Sequence, residues 1–521
     1  MIKYILTLLS FLLCSCGGTD SPSITKTTQQ VAIAPTPEIT GPFVEISNAF
    51  PDVDLWFNWT DPNNNPPFNA GVQLAAAVDL DNDGKKELVL ILAKTFSGAI
   101  QGTNPSRSKI VILKLNSQSQ FVDATESFIK GENSIPGLSG HDIVVADLNN
   151  DGKKDIVFNF NQDAGGVDVR APYNGFGVLL SGLDGTYKIV LANQSNGVQD
   201  VAVGYDSLGE PFIFPAGSGI NVDVTPNLPY KIKNNQLYTA PGIIPNIDPM
   251  RAFFVSSGKS KASDLIFTLN QFRMTDVDGY IKNADNSWSK VGQISSYQFP
   301  KVGTINWVSR MSEPSTPVEI RYNSKTNRYV MGEGGSNDGG PMCEFKLTPD
   351  GEKFILMERP ENYVISFIDG GTVYSYEKNW SQGIGFVGVQ IKNGQLVYVD
   401  TVFKNIPTGF VNANQVQCID VNNDGYMDVV VNFNLAGDTT NLAPIIFLNN
   451  QDSTLTASTY SSDFKVFPKY GNNLTSTFVE DFDNDGKMDI VMFLRNPAPV
   501  VNGKSTLDGS FKFFKGTGKL K

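Results

Sequence analysis

A chain of 521 residues, 40% hydrophobic and only 18% charged, is long enough to bury one large core or several repeated small ones. Its net charge of −12, with no basic run, argues against a nucleic-acid partner, and a single histidine, His141, excludes a multi-histidine transition-metal site within one chain. Glycine (48 residues) and asparagine are abundant, Val and Ile are common, and no long 3.6-residue period appears, which points to an all-β repeat protein.

Met1–Ser15 reads as an export signal: Lys3 supplies a positive start and Ile5–Leu13 an apolar run too short to span a bilayer. The run ends Leu13-Cys14-Ser15-Cys16, which resembles a bacterial lipobox with Cys16 as the lipidated residue; an ordinary secretory signal cleaved nearby is the alternative. Gly17 after that cysteine is not the aspartate associated with inner-membrane retention, so the resemblance points to the outer membrane or cell surface. Residues 16–42, rich in Ser, Thr, Gln and Pro beyond the cysteine, read as a disordered tether, leaving 43–521 as the folded part.

The first strong motif is VDLDNDGKKELVL, Val78–Leu90. Asp79, Asp81 and Asp83 alternate, Gly84 follows, and Glu87 stands at loop position 9. Three carboxylates two residues apart converge only if the backbone curls tightly, and a glycine after the third permits φ > 0. Oxygen ligands at positions 1, 3, 5 and 9, with the carbonyl of position 7 (Lys85), describe a calcium loop. An EF-hand needs a bidentate Glu at position 12, which here is Leu90, and the flanks read as strands, so the expected element is strand–loop–strand. The pattern recurs with Asp147, Asn149, Asp151, Lys153 and Asp155; with Asp420, Asn422, Asp424, Tyr426 and Asp428; and with Asp481, Asp483, Asp485, Lys487 and Asp489. Position 12 is apolar each time (Phe158, Val431, Met492). About four calcium ions are expected, held more tightly by the first and last loops, which carry four carboxylates each.

Between these loops lie strand pairs of the same spacing without the aspartates. QDVAVG (199–204) precedes PFIF (211–214), and RAFFVS (251–256) precedes DLIF (264–267). VEIR (318–321) precedes RYVM (328–331), and NYVISF (362–367) precedes TVYSY (372–376). Second hairpins follow, such as KIVILKLNSQSQFVDAT (109–125), GVLLSGLDGTYKIVLA (177–192), CEFKLTPDGEKFILM (343–357) and GVQIKNGQLVYVD (388–400). Four antiparallel strands per unit is a propeller blade, and the count is eight, with seven as the alternative. The last unit turns at Gly516–Gly518 after FKFFK (511–515) and lacks a fourth strand. A strand from Phe43–Trp59 is expected to supply it and close the ring.

These loops, each set between strands and followed by a hairpin, resemble FG-GAP/VCBS repeats, which build the integrin α-subunit propeller and many bacterial surface proteins. The resemblance implies a calcium-stabilised, non-catalytic envelope lipoprotein with an adhesion-like role, binding a protein or glycan. Alternatives are a propeller-fold polysaccharide lyase or a scaffold subunit of an envelope complex. No GxSxG element or Ser-His-Asp grouping stands out, and His141 reads as a polar residue before a strand. Cys343 and Cys418 fall in units that are not neighbours, so free thiols are expected rather than a disulfide. Recognition is expected on the face opposite the aspartate loops, in the long connections Thr95–Ser108, Asn161–Phe176, Asn434–Ala443 and Arg495–Ser510. These carry Phe96, Arg107, Arg170, Tyr173 and Arg495.

Overall fold

A computed structural model describes residues 43–51, 67–96, 107–136, 138–161, 175–193, 198–217, 227–247, 249, 251–256, 262–269, 277–294, 318–323, 328–332, 341–345, 354–358, 363–367, 374–378, 386–400, 402–404, 410–435, 444–452, 454–458, 474–494, 500–501, 504–505 and 511–518. Cys16 and its tether lie outside them, as do the side chains of His141, Cys343 and Cys418. So do those of the five Phe, Arg and Tyr residues of the long connections.

The strand runs are apolar on both sides because both faces of each sheet are covered. In Pro67–Val78 the side chains of Leu74, Ala76 and Val78 enter one core and Ala75 and Ala77 the next. The following strand, Glu87–Phe96, divides the same way, Val89 and Ile91 against Leu88, Leu90 and Leu92. Side chains that alternate across a strand thus feed two separate cores, and each core is the filling between neighbouring sheets. This is the packing of a β-propeller.

Among the described residues strand predominates, and they form six blades rather than the eight or seven expected from the sequence. Blade one comprises Pro67–Val78, Glu87–Phe96, Arg107–Leu115 and Phe121–Asp123. Blade two comprises Leu138–Ala146, Asp155–Asn161, Gly175–Ser181 and Tyr187–Asn193. Blade three is Val198–Tyr205, Pro211–Gly217, Tyr230–Lys233 and Gln236–Thr239; blade four is Arg251–Val255, Leu265–Leu269, Val277–Lys282 and Trp288–Ile294. Blade five is Phe410–Ile419, Asp428–Leu435, Pro444–Asn449 and Thr454–Ala457. Blade six is Leu474–Glu480, Asp489–Leu494 and Phe511–Gly516, completed by Phe43–Glu45 from the other end of the chain. That closure is antiparallel, Phe43 opposite Gly516 and Glu45 opposite Phe514, and Lys512 donates to Glu45 at 2.6 Å.

The two lost blades have an identifiable cause. The strand pairs expected near 321 and 367 do form, as hairpins Val318–Asn323/Arg328–Gly332 and Tyr363–Phe367/Tyr374–Lys378. Neither heads a sheet of its own. The first pairs in parallel with Leu138–Ala146, and the second stays two-stranded. The hairpins expected to complete them, 341–358 and 386–400, instead pair with each other, Ile355 opposite Val389, in a further sheet interrupted by the second hairpin. Alternation specifies which face a residue takes, whereas every strand edge offers the same backbone donors and acceptors, so sequence spacing alone did not assign partners.

The junction between blades six and one is aromatic. Phe50 stacks on Phe121 with centroids 5.1 Å apart, and Phe121 meets Phe482 and Phe513 edge-on at 5.5 and 5.3 Å. His141 lies within strand Leu138–Ala146, at a register shift between Ser139 and Ile143, rather than before the strand.

Candidate metal centre

All four aspartate loops join the first and second strands of their blades, in blades one, two, five and six. They share one local geometry. The carboxylate at position 1 accepts from the backbone N–H groups of positions 5 and 6: Asp79 from Asp83 and Gly84 (3.1 and 2.9 Å), and Asp420 from Asp424 and Gly425 (2.9 and 2.8 Å). Asp147 and Asp481 do the same. The aspartate at position 5 accepts from the N–H of position 7, at 2.8–3.0 Å in all four. The position-6 glycines have φ between 81° and 96°, where a side chain would be strained, and an asparagine at position 4 also takes positive φ.

Position 9 begins the second strand and is buried. Glu87, Asp155, Asp428 and Asp489 each accept from the N–H of position 2, at 2.9, 2.7, 2.9 and 3.2 Å. The three aspartates accept a second bond from the third strand, from Ser181, Asn449 and Gly516. Burial pushes the carboxyls of Glu87, Asp428 and Asp489 up to about 7 and that of Asp155 to about 6, because the charged form loses water that one hydrogen bond at Glu87, or two at the aspartates, do not replace. Position 12 is core: Leu90, Phe158 and Met492 are buried, which explains why no glutamate stands there.

The donor set fits a hard divalent cation. Ligand oxygens of Asp79, Asp81 and Glu87 lie within 4.8 Å of one another, as do those of Asp481, Asp483 and Asp489. That is about twice a calcium–oxygen bond of roughly 2.4 Å. Oε1 of Glu87 is fully buried without a hydrogen bond, and Oδ1 of Asp483 likewise has no hydrogen-bond partner. In the other two loops the asparagine at position 3 turns its amide onto position 5, Asn149 on Asp151 and Asn422 on Asp424, both at 3.1 Å.

Sequence reasoning missed the groups that other strands contribute. Lys114 forms ion pairs with Asp81, with Asp83 (2.9 Å) and with Glu87 (3.4 Å). Lys515 pairs with Asp483 and, at 3.7 Å, with Asp485. Ser181 donates its hydroxyl to Asp151, and Gln451 its amide to Asp424. Tyr187 carries its hydroxyl from blade two to the carbonyl of Leu80 in the blade-one loop, at 2.7 Å, and Lys86 N–H of that loop donates to Phe482 in blade six. The loops are therefore wired to one another across blade boundaries. A lysine at the end of an apolar third strand, as in VILKL and FKFFK, was the available signal.

With this geometry in place, a sequence profile of the FG-GAP-like repeat matches residues 79–158 and 420–492. The chain carries FG-GAP-like repeats. Each match runs from position 1 of one aspartate loop to position 12 of the next, so the repeats take in all four loops. No curated protein sequence matches the chain.

Among solved structures, the chain is similar to the periplasmic gluconolactonase of Pseudomonas aeruginosa at 10% identity and a TM-score of 0.37, covering 74% of this chain and 84% of that one. It is similar to the exotype rhamnogalacturonan lyase YesX at 11% and 0.37, covering 92% and 76%. A third is the α-L-arabinanase of Penicillium chrysogenum, at 9% and 0.33, covering 72% and 93%. The expectation of a non-catalytic protein is corrected here, because all three are propeller enzymes. It rested on the lack of a local catalytic motif, and a propeller can assemble a site from residues scattered over several blades. At this similarity the three assign no reaction to this chain.

Proposed function

We propose that this FG-GAP-like propeller is calcium-stabilised, is held at the bacterial cell envelope by a lipid on Cys16, and binds a carbohydrate or a protein through the face opposite its aspartate loops. The observation that carries the calcium reading is the buried, unbonded Glu87 Oε1 facing Asp79 and Asp81. The Lys114 ammonium stands 3.4 Å from this oxygen without hydrogen-bonding it, and a divalent ion held by the oxygens of positions 1, 3, 5 and 9 would satisfy it more fully.

Support for the binding face comes from the aspartate side. There the third-to-fourth turns are short and bonded within themselves, as in Asn116–Gln120 and Gly182–Thr186. In the sequence, the connections between the second and third strands are longer and mix Arg and aromatic residues with Gly, Asn and Ser.

Calorimetric titration of chelated protein with calcium tests the first part: about four ions are expected, and no heat at millimolar calcium would sink it. Cys16→Ser should move the protein from the membrane to the soluble exported fraction; unchanged partitioning with normal signal cleavage removes the anchor. Glycan arrays run beside an unsaturated-uronate absorbance assay read binding and lyase turnover together. A protein with neither, but with a partner retained in detergent extracts, belongs to an envelope complex instead.

A further inference from the structure

The ladder between the second and third strands fixes one position in every blade that has an aspartate loop. Leu88 pairs with Leu113, Ile156 with Leu179, Val429 with Phe447 and Ile490 with Phe514. The next residue along the third strand, opposite loop position 9, is therefore Lys114, Leu180, Leu448 and Lys515 respectively. The lysines occur in the two blades whose loops carry four carboxylates. The leucines occur in the two whose loops replace one carboxylate with Asn149 or Asn422. The lysine thus stands where all four ligating side chains are carboxylates, and the leucine where one of them is neutral.

Resting on the reading of these loops as calcium sites, we propose that Lys114 and Lys515 are built-in competitors of the metal. Each ammonium occupies the cation position of its loop, and calcium must displace it to bind. The geometry supports displacement over coexistence. Lys114 touches the carboxylates of positions 3, 5 and 9 together, and two of these, Asp81 and Glu87, are also in the 4.8 Å cluster with Asp79 that would ligate the ion. Lys515 meets positions 3 and 5 of the last loop, beside the unbonded Oδ1 of Asp483. A lysine is a compact charge on a flexible stem, partly buried here, so it can serve as a tethered cation and also swing out to water. Carboxylate count therefore does not rank the loops. Blades one and six, which meet at the closure of the ring, keep this third-strand counter-charge when calcium is scarce, whereas blades two and five carry Leu180 and Leu448 at the same ladder position.

Two measurements on the full chain decide this. Acetylation of lysines followed by mass spectrometry, with chelator or with millimolar calcium, should show Lys114 and Lys515 becoming several-fold more reactive in calcium. Lys231, paired with Asp206 and Glu210 in blade three, serves as the control that stays unchanged. Lys114→Leu and Lys515→Leu, purified in calcium to keep them folded, should each tighten one calcium site by at least about tenfold in titration, while Lys114→Arg should not. Calcium binding by the parent with unaltered lysine reactivity and no tightening in the Leu variants would overturn the competitor role and leave the calcium sites standing. No calcium binding by the parent or by any variant would overturn the calcium reading itself, and the competitor role with it.

Discussion

Blades two and three are neighbours with the same strand order, and they handle the connection between their first two strands in opposite ways. In blade two, Asp147 opens a nine-residue loop, caps two backbone N–H groups, and is followed by Asp151 and Asp155, whose bonds come from neutral partners. In blade three, Asp206 opens a tight turn, caps the N–H groups of Leu208 and Glu210, and is closed by Lys231. The lysine stands 2.6 Å from both Asp206 and Glu210, with Lys231 and Asp206 each only 13% exposed. The difference is the source of the positive charge. Blade three brings a lysine from its third strand, whereas on the calcium reading proposed above blade two would take a cation from solution. In blade four an ion pair instead joins the third and fourth strands, Lys290 to Asp278 at 2.7 Å.

The strongest challenge to this division is removal of residues 43–51, which takes away the closing strand, the Lys512–Glu45 pair and the Phe50–Phe121 stack together. The expected result is an exposed edge in blade six and aggregation that calcium does not rescue. A deletion variant as soluble and heat-stable as the parent would show that blade six does not need its N-terminal strand.

Chelation separates the two classes of blade directly. Hydrogen-exchange protection should fall most in 138–193 and 410–457, less in blades one and six, and hold in 198–294. Each proposed site would contribute about 2.7 kcal/mol when calcium exceeds its dissociation constant a hundredfold. Uniform loss, or loss centred on blades three and four, contradicts the division. The converse variant, Lys231→Met, leaves the largely buried Asp206 carboxylate without its ammonium, while Glu210 is exposed to water. It should cost on the order of 2–3 kcal/mol in denaturant unfolding, equally with and without calcium. A calcium-dependent cost would mean that blade three binds metal after all.

The pH response sharpens the comparison further. Glu87, Asp155, Asp428 and Asp489 titrate higher in the folded protein than their ordinary values, at about 6–7. The folded state therefore binds more protons than the unfolded chain between about pH 4.5 and 7, and stability from these groups is lost as pH rises through their folded values. Chelated protein should gain on the order of 1–2 kcal/mol per group on going from pH 7.5 to 5.5. Calcium, which needs the ionised carboxylates, should cancel that gain. Chelated protein that is less stable at pH 5.5 than at 7.5 would show that these carboxylates are not held protonated by burial. The smallest expected effect is Tyr187→Phe, which removes the bond to Leu80 and should cost about 1 kcal/mol. Its test is reduced coupling between the loops of blades one and two in calcium titrations.

The sequence by itself determined the four loops, the strands on either side of them and the source of the closing strand. Each rests on local rules: alternating carboxylates and a glycine force a tight curl, and an apolar run of strand length must be buried. That Phe43–Glu45 completes the last sheet followed from a strand missing at one end and a spare one at the other. Tertiary structure decided what depends on encounter between distant segments. The hairpins of 341–358 and 386–400 joined into one sheet because strand edges are chemically alike, which lowered the blade count to six. Lys114, Lys515, Ser181 and Tyr187 entered the loops from third and fourth strands, 27 to 107 residues away in the chain. Charge compensation depends on distance in space, and only the folded ladder places Lys114 and Lys515 opposite position 9.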